Sequence, residues 1–404
     1  MASTKTTSES QPRGERGLKD ASDAKEGYGP GIYYLRMAVF LLLNVLAGTA
    51  VVAVGSLALP LSFASATHSA YRGHIRVVLG AYVSFLLLLT SLFLPHSRFV
   101  ISGDWARIRS DKKQVVISNH QIYPDWFYLF IFAWTRGCHY DIKVILIEIL
   151  SRLPIFGQGM QLFEFIFMKQ RFEKDKVNMA RNLRTAARDA HPLWLLIFPE
   201  GTLNTPGNIQ KSKDFAKKMN IPTHPHHCIL PKVTGLHFCL QTLGSATRDL
   251  YDLTVGYSGI TAQQTPYDAY LIDRCFFGGI YPREVHIHVR HHDVRALPGF
   301  GEVEAGTEEE KKARFEAWLR GVWLEKDERL AGFYRHGDMT TAKVPGAGAE
   351  EEEENVEKVV IPIEPKVLDW VVVGGLFVAG YVLTRFYVGI VFAGVASLLR
   401  LLWG

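Results

Sequence analysis

VVISNHQIYPDWFYLFIFAW, residues 115–134, decides the fold. Its opening, Val115–Ser118, is a short apolar run of the kind a buried strand needs. Asn119 and His120 follow directly. Pro124 pushes Tyr123 out of the helical region. Asp125 then stands where an N-cap would open the apolar run Trp126–Trp134. Strand, polar loop and helix make the first unit of an α/β sheet. In such sheets functional groups sit just past the C-terminal ends of strands, which makes His120 a candidate. On a regular helix, residues five apart are turned about 140° from each other. A loop at His120 and a helix start at Asp125 can instead fold imidazole and carboxylate together. A neutral imidazole can then take a proton from an alcohol, while the carboxylate fixes its tautomer.

The chain on either side repeats the alternation. Lys143–Ile149, Glu164–Met168, Trp194–Phe198, Thr254–Tyr257 and Val285–Val289 are expected as strands. Lys174–Ala190 has helical spacing, with Val177, Ala180, Leu183 and Ala187 on one face. Glu308–Leu330 is a charged amphipathic helix with Phe315, Trp318, Leu319 and Trp323 inward. Together these predict an α/β fold, a mixed sheet flanked by helices.

Long apolar segments lie outside this region. Met37 to Tyr71 carries no Asp, Glu, Lys or Arg, and neither does Val77 to Pro95. Each is long enough for a bilayer core of about 30 Å. They predict an N-terminal membrane helix pair over 31–95, either two spans or a hairpin dipping into one leaflet. At the C-terminus, Trp370–Thr384 and Phe386–Leu399 are uncharged and separated by Arg385. A charge mid-membrane is costly, so C-terminal membrane helices are expected over 367–404 as a re-entrant pair, with one long tilted span as the alternative. The remaining divisions are a disordered tail over 1–30, a catalytic region over 96–340, and an acidic linker over 341–366 containing five consecutive glutamates at 350–354.

The 404 residues are 48% hydrophobic with a formal charge of +5. That small excess, without interleaved Arg and aromatics, argues against nucleic acid and suits an anionic membrane or substrate. Cys138, Cys228, Cys239 and Cys275 form no C-x-x-C pair and are expected as reduced thiols facing the cytosol. No G-x-S-x-G nucleophile elbow is present; Gly256-Tyr257-Ser258-Gly259 fails the pattern. His224, His226, His227 and Cys228, or His286 with His288, lack zinc spacing, so no metal is expected.

Three further segments complete a constellation. Phe198-Pro199-Glu200-Gly201-Thr202 follows an apolar strand, and its glycine lets backbone approach a ligand. Lys169 and Arg171 follow the strand Glu164–Met168. Lys232 lies in Leu230-Pro231-Lys232-Val233-Thr234-Gly235. Cations at the ends of neighbouring strands could converge on a phosphate. The ordered set N-H-x-x-x-x-D, F-P-E-G-T and L-P-K-x-T-G resembles the glycerophospholipid acyltransferase family, which includes the 1-acylglycerol-3-phosphate acyltransferases. It is most similar to the branch of lysocardiolipin and lysophosphatidylinositol acyltransferases. Supporting stretches are Tyr251–Tyr257, Tyr281–Val289 and Trp318–Tyr334, and the resemblance covers about residues 95–340.

The resemblance implies His120 as general base and Asp125 as its orienting partner. It implies Asn119, Lys169, Arg171, Glu200, Gly201, Thr202 and Lys232 as substrate-binding residues. The family's second motif places an arginine where Gln170 stands, leaving Arg171 or Lys169 as the phosphate cation; Lys232 stands where arginine is frequent. The implied reaction moves an acyl group from acyl-CoA to the free hydroxyl, at sn-2, of a lysophospholipid. It needs no cofactor and takes place at the cytosolic face of the endoplasmic reticulum membrane, on a multi-pass protein. Two alternatives are a CoA-independent transacylase and an inactive lipid-binding scaffold.

Overall fold

The computed structural model describes residues 27–169, 171–261, 263–301, 306–340 and 358–403. Most of the tail read over 1–30, the five glutamates and Gln170 lie outside them. Eight strands form one mixed sheet in the order β4-β3-β5-β2-β6-β7-β1-β8. They are β1 Arg98–Gly103, β2 Lys113–Ser118, β3 Ile142–Ile147, β4 Ile166–Met168, β5 Leu193–Ile197, β6 Asp249–Tyr257, β7 Glu284–Asp293 and β8 Val359–Pro362. β2 pairs in parallel with β5 and β6, and β3 pairs in parallel with β4 and β5. β6 and β7 are antiparallel. The C-terminal ends of β2, β3, β4, β5 and β6 therefore share one edge of the sheet.

The central strands carry apolar residues on both faces because both faces are covered. Every residue of β5 is buried, as are Val115, Val116 and Ile117 of β2. One face holds the helix Asp125–Thr135 and the N-terminal helices; the other holds Phe172–Arg188, Val233–Leu243 and Glu308–His336. The run Trp126–Trp134 is the filling between sheet and His68–Phe93, with Phe127 to Ala133 buried in protein. It does not form a lipid-facing boundary.

Two strands escaped the sequence reading. β1 begins three residues after the apolar run ending at Pro95 and pairs in parallel with β7. β8 lies within the stretch assigned to the acidic linker and caps the sheet antiparallel to β1.

Among the described residues, three helices are long and apolar enough to cross a membrane: Pro30–Phe63, His68–Phe93 and Val367–Ser397. The expected re-entrant pair at the C-terminus is not formed. One continuous helix, Val367–Trp403, carries Arg385 on an exposed face beside Tyr381. No Pro interrupts it, so nothing in its backbone forces a turn. It crosses Pro30–Gly55 closely at Gly380, where an added Cβ would stand 2.4 Å from that of Ala50.

Glu308–His336 is pinned to the sheet by charge. Lys326 and Asp252 of β6 form an ion pair in which both side chains are wholly buried, and Arg290 of β7 reaches Asp252 at 2.7 Å. Lys326 also donates to the Leu253 carbonyl at 2.6 Å. Removing one partner strands the other charge in the core. Asp252→Ala is expected to destabilise the fold by about 3–5 kcal/mol, read as a lower unfolding midpoint in detergent.

Candidate active site

β2 ends at Ser118, and Asn119 extends its pairing by side chain. The Asn119 amide donates to the Val255 carbonyl at 2.9 Å and its oxygen accepts the Val255 N–H at 2.8 Å. Asn119 is fully buried, so its amide is committed to joining β2 and β6. The next residue, His120, is the first off the edge. Its Nδ1 lies 2.7 Å from Oδ2 of Asp125, and its ring stacks on Phe198 at 4.2 Å.

Asp125 begins its helix but does not cap it; Pro124 occupies that position. The carboxylate instead turns back over its own loop. Oδ2 accepts the N–H groups of Gln121 at 2.6 Å and Ile122 at 3.0 Å, and Oδ1 accepts the Tyr257 hydroxyl. The side chain of Asp125 is 1% exposed and that of His120 is 20% exposed. An aspartate contact at Nδ1 fixes the proton there and leaves Nε2 as the basic nitrogen. The arrangement can accept a proton from a hydroxyl and hold the resulting imidazolium.

The F-P-E-G-T turn packs beneath the loop that carries His120. Gly201 adopts φ +67°, and the Lys232 side chain lies over it, with Nζ 3.1 Å from where a Cβ would stand. The Lys232 N–H donates to the Pro199 carbonyl at 2.7 Å. Asn204 donates its N–H to the His120 carbonyl at 3.0 Å and its amide to the His227 carbonyl. The Thr202 hydroxyl accepts from Asn208 at 2.7 Å. Thus His120, Gly201, Thr202 and Lys232 gather along the ends of β2 and β5.

Lys169 and Arg171 do not join them. They follow β4, three strand spacings from β2, or about 14 Å across the sheet. Lys169 instead faces Glu148 at 3.4 Å, and the Lys169 and Arg171 N–H groups are both received by Asp175. Of the cations singled out by motif, Lys232 is the one that lies against the Pro199–Gly201 turn.

Glu200 is also placed differently from expectation. Its side chain is buried, with Oε1 accepting from Trp323 Nε1 at 3.1 Å and Oε2 without a hydrogen-bond partner. Burial pushes its carboxyl up to about 8, and Asp125 adds to the shift. A carboxyl largely neutral at pH 7 and turned toward Trp323 ties the loop to the last helix of the domain.

Several site residues had no role in the sequence reading. Tyr257 closes β6, and Glu308–His336 contributes Trp323, Asp327 on the His227 N–H, and Tyr334 on the Gln121 amide at 2.9 Å. Tyr251–Tyr257 and Trp318–Tyr334 stood out as stretches; nothing in their spacing showed which side chains reach across to residue 121 or 125. His286 and His288 are taken up by Glu284 and Ser102. Among the described residues no group of three or more His, Cys, Asp or Glu side chains is arranged to hold a metal.

The acyltransferase family model matches residues 102–231, the segment that carries both motifs of the His120 site. Among curated relatives, a lysocardiolipin acyltransferase of Danio rerio is 31% identical over 73% of this chain and 70% of its own length. The chain belongs to the acyltransferase family. A 2-acyl-1-lysophosphatidylinositol acyltransferase of Saccharomyces cerevisiae is 30% identical over 61% of this chain and 68% of its own. A probable 1-acyl-sn-glycerol-3-phosphate acyltransferase of Arabidopsis thaliana is 32% identical over 67% of this chain; there the match spans slightly less than two thirds, 65%, of the relative.

The elevated carboxyl of Glu200 has a consequence for stability. The folded state holds this proton above the ordinary value of 4.5, so it binds more protons than the unfolded chain. Its contribution is fully present below about 4.5 and is lost as pH rises through about 8. Glu200→Gln is expected to keep the fold and to flatten the decline of the unfolding midpoint between these limits. An unchanged pH slope would place an ionised carboxylate there.

Proposed function

We propose that this acyltransferase moves a fatty acyl group from acyl-CoA to the free sn-2 hydroxyl of a lysophospholipid, with His120 as general base. The observation that carries the reading is His120 held at Nδ1 by buried Asp125 at the shared edge of the sheet. The names of three relatives, each a lysophospholipid or acylglycerophosphate acyltransferase, support the acceptor class.

In this mechanism the acceptor hydroxyl gives its proton to Nε2 as its oxygen attacks the thioester carbonyl. The tetrahedral intermediate collapses, the C–S bond breaks, and the departing thiolate takes the proton from the imidazolium. Asp125 remains ionised and stabilises the imidazolium throughout. General-base action contributes roughly 10²–10⁴ in rate, and holding both substrates in place supplies much of the rest. Lys232 is the cation for the acceptor's phosphate, a single charge without the fork that arginine would bring.

Three helices long and apolar enough to cross a membrane support a site held against a bilayer, where both acyl chains can stay in hydrocarbon. A cytosol-facing site on the endoplasmic reticulum membrane gives access to acyl-CoA.

His120→Ala should abolish acyl transfer, with membrane association and unfolding midpoint unchanged; retained turnover removes His120 from its role. With wild-type protein, a panel of lysophospholipids assayed with and without acyl-CoA should show product only when the thioester is added. Product formed without it, with a diacyl phospholipid as donor, identifies a transacylase instead.

A further inference from the structure

The His120–Asp125 pair explains only part of how the carboxylate is held. Oδ2 is shared by the His120 imidazole and by the N–H groups of Gln121 and Ile122. These three donors come from the loop itself, and a loop can move as a body with its carboxylate. Oδ1 has a different kind of partner. The Tyr257 hydroxyl reaches it from the last residue of β6, 132 positions away in sequence.

Tyr257 is wholly buried, and its backbone is fixed by antiparallel pairing with Val285. Its ring is flanked by Tyr128 and Tyr270. It cannot turn its hydroxyl to water. Asp125 is thus anchored to the rigid sheet at one oxygen and presents the other to the imidazole. We infer that Tyr257 is a positioning residue for acyl transfer, donating to Oδ1 of Asp125 so that the carboxylate is fixed in place and in charge against His120.

This rests on His120 acting as the base. Charge dispersal follows from the same geometry. A carboxylate that accepts an additional O–H bond holds less charge on each oxygen, and it draws the imidazolium proton less strongly. The other titratable groups around the pair are Tyr128 on Asp125's own helix, Glu200 on the loop after β5, and Tyr334 and Lys326 on the helix Glu308–His336. The donors to the carboxylate are His120, Gln121, Ile122 and Tyr257. The Tyr334 hydroxyl goes to the Gln121 amide, which makes it a matched control.

The test compares wild type, Tyr257→Phe, Asp125→Asn, the double variant and Tyr334→Phe on full-length protein in detergent micelles. The substrates are the lysophospholipid and acyl-CoA on which the wild type turns over. Tyr257→Phe is expected to lower kcat by roughly 10- to 100-fold, the range of a hydrogen bond to a charged group, with KM for both substrates near wild type. The acid limb of its kcat profile should move to higher pH, because the neutral imidazole is needed and its proton is now held more tightly. Tyr334→Phe should leave that limb in place. In the Asp125→Asn background, removing the Tyr257 hydroxyl should cost little more, since both changes act through one carboxylate.

Overturning results are an unmoved acid limb in Tyr257→Phe, or losses that multiply in the double variant. The latter would mean that Tyr257 acts on folding and not through Asp125. Unfolding midpoints of each variant separate a general loss of fold from a change at the pair. If the wild type itself transfers no acyl group to any acceptor, the reading of the site fails, a result distinct from activity that is indifferent to Tyr257.

Discussion

The Asp125 carboxylate is buried to 1% exposure and accepts from four donors: the His120 imidazole, two backbone N–H groups of its own loop, and the Tyr257 hydroxyl. A buried charge is tolerated when its lone pairs are filled. Here filling them draws three pieces of chain to one point. The loop after β2 must curl back, the helix Asp125–Thr135 must begin where it does, and β6 must lie beside β2 in a register that delivers residue 257. Asn119 secures that register through the Val255 backbone. The site and the centre of the sheet are consequently one construction.

The second layer of support comes from the far end of the domain. Glu308–His336 crosses behind the site and touches it at four residues within three turns. Trp323 meets Glu200, Lys326 meets Asp252, Asp327 meets the His227 N–H and Tyr334 meets Gln121. Three of these contacts end on the motif loops or on the loop that carries His227. The fourth, the Lys326–Asp252 pair, sets the helix's height on the sheet. That pair is expensive to desolvate, so its strength lies in specifying one docking position. Long-range contacts of this type have no signature in local periodicity.

This explains which parts were legible in advance. Strands buried on both faces announce themselves as apolar runs, and β2, β3 and β5 lie within two residues of where their sequences put them. The spacing from His120 to Asp125, with Pro124 between, carried enough stereochemistry to imply the pairing that the structure shows. What escaped was set by partners elsewhere in the chain. β1 forms because β7 offers it an edge, and β8 forms because β1 then offers another; both are short and lean on those distant partners. Lys169 and Arg171 were grouped with His120 because all follow strands, but strand order put β3 and β5 between them. Glu200 was implied as substrate-binding by the resemblance alone, and a motif cannot reveal that the side chain is buried with Trp323.

The N-terminal helices show the same dependence on partners elsewhere in the chain. His68, Arg72 and Arg76 follow one another at four-residue intervals on one face of His68–Phe93. His68 and Arg72 meet Glu164 at 2.8 and 3.2 Å, and Arg76 meets Asp141 at 2.6 Å. Glu164 is shared with Lys143 of β3, which is itself only 2% exposed. Pulling this helix away from the domain would leave Glu164, Asp141 and two arginines to find new partners, at a cost no apolar contact would offset. The helix before it is bound along its length as well, with Arg36 on the Phe93 and Phe276 carbonyls at one end and Gly55 against Leu162 at the other. A tether would need contacts only at its root. These helices share the core of the catalytic fold, so their position and that of the edge bearing His120 are set together.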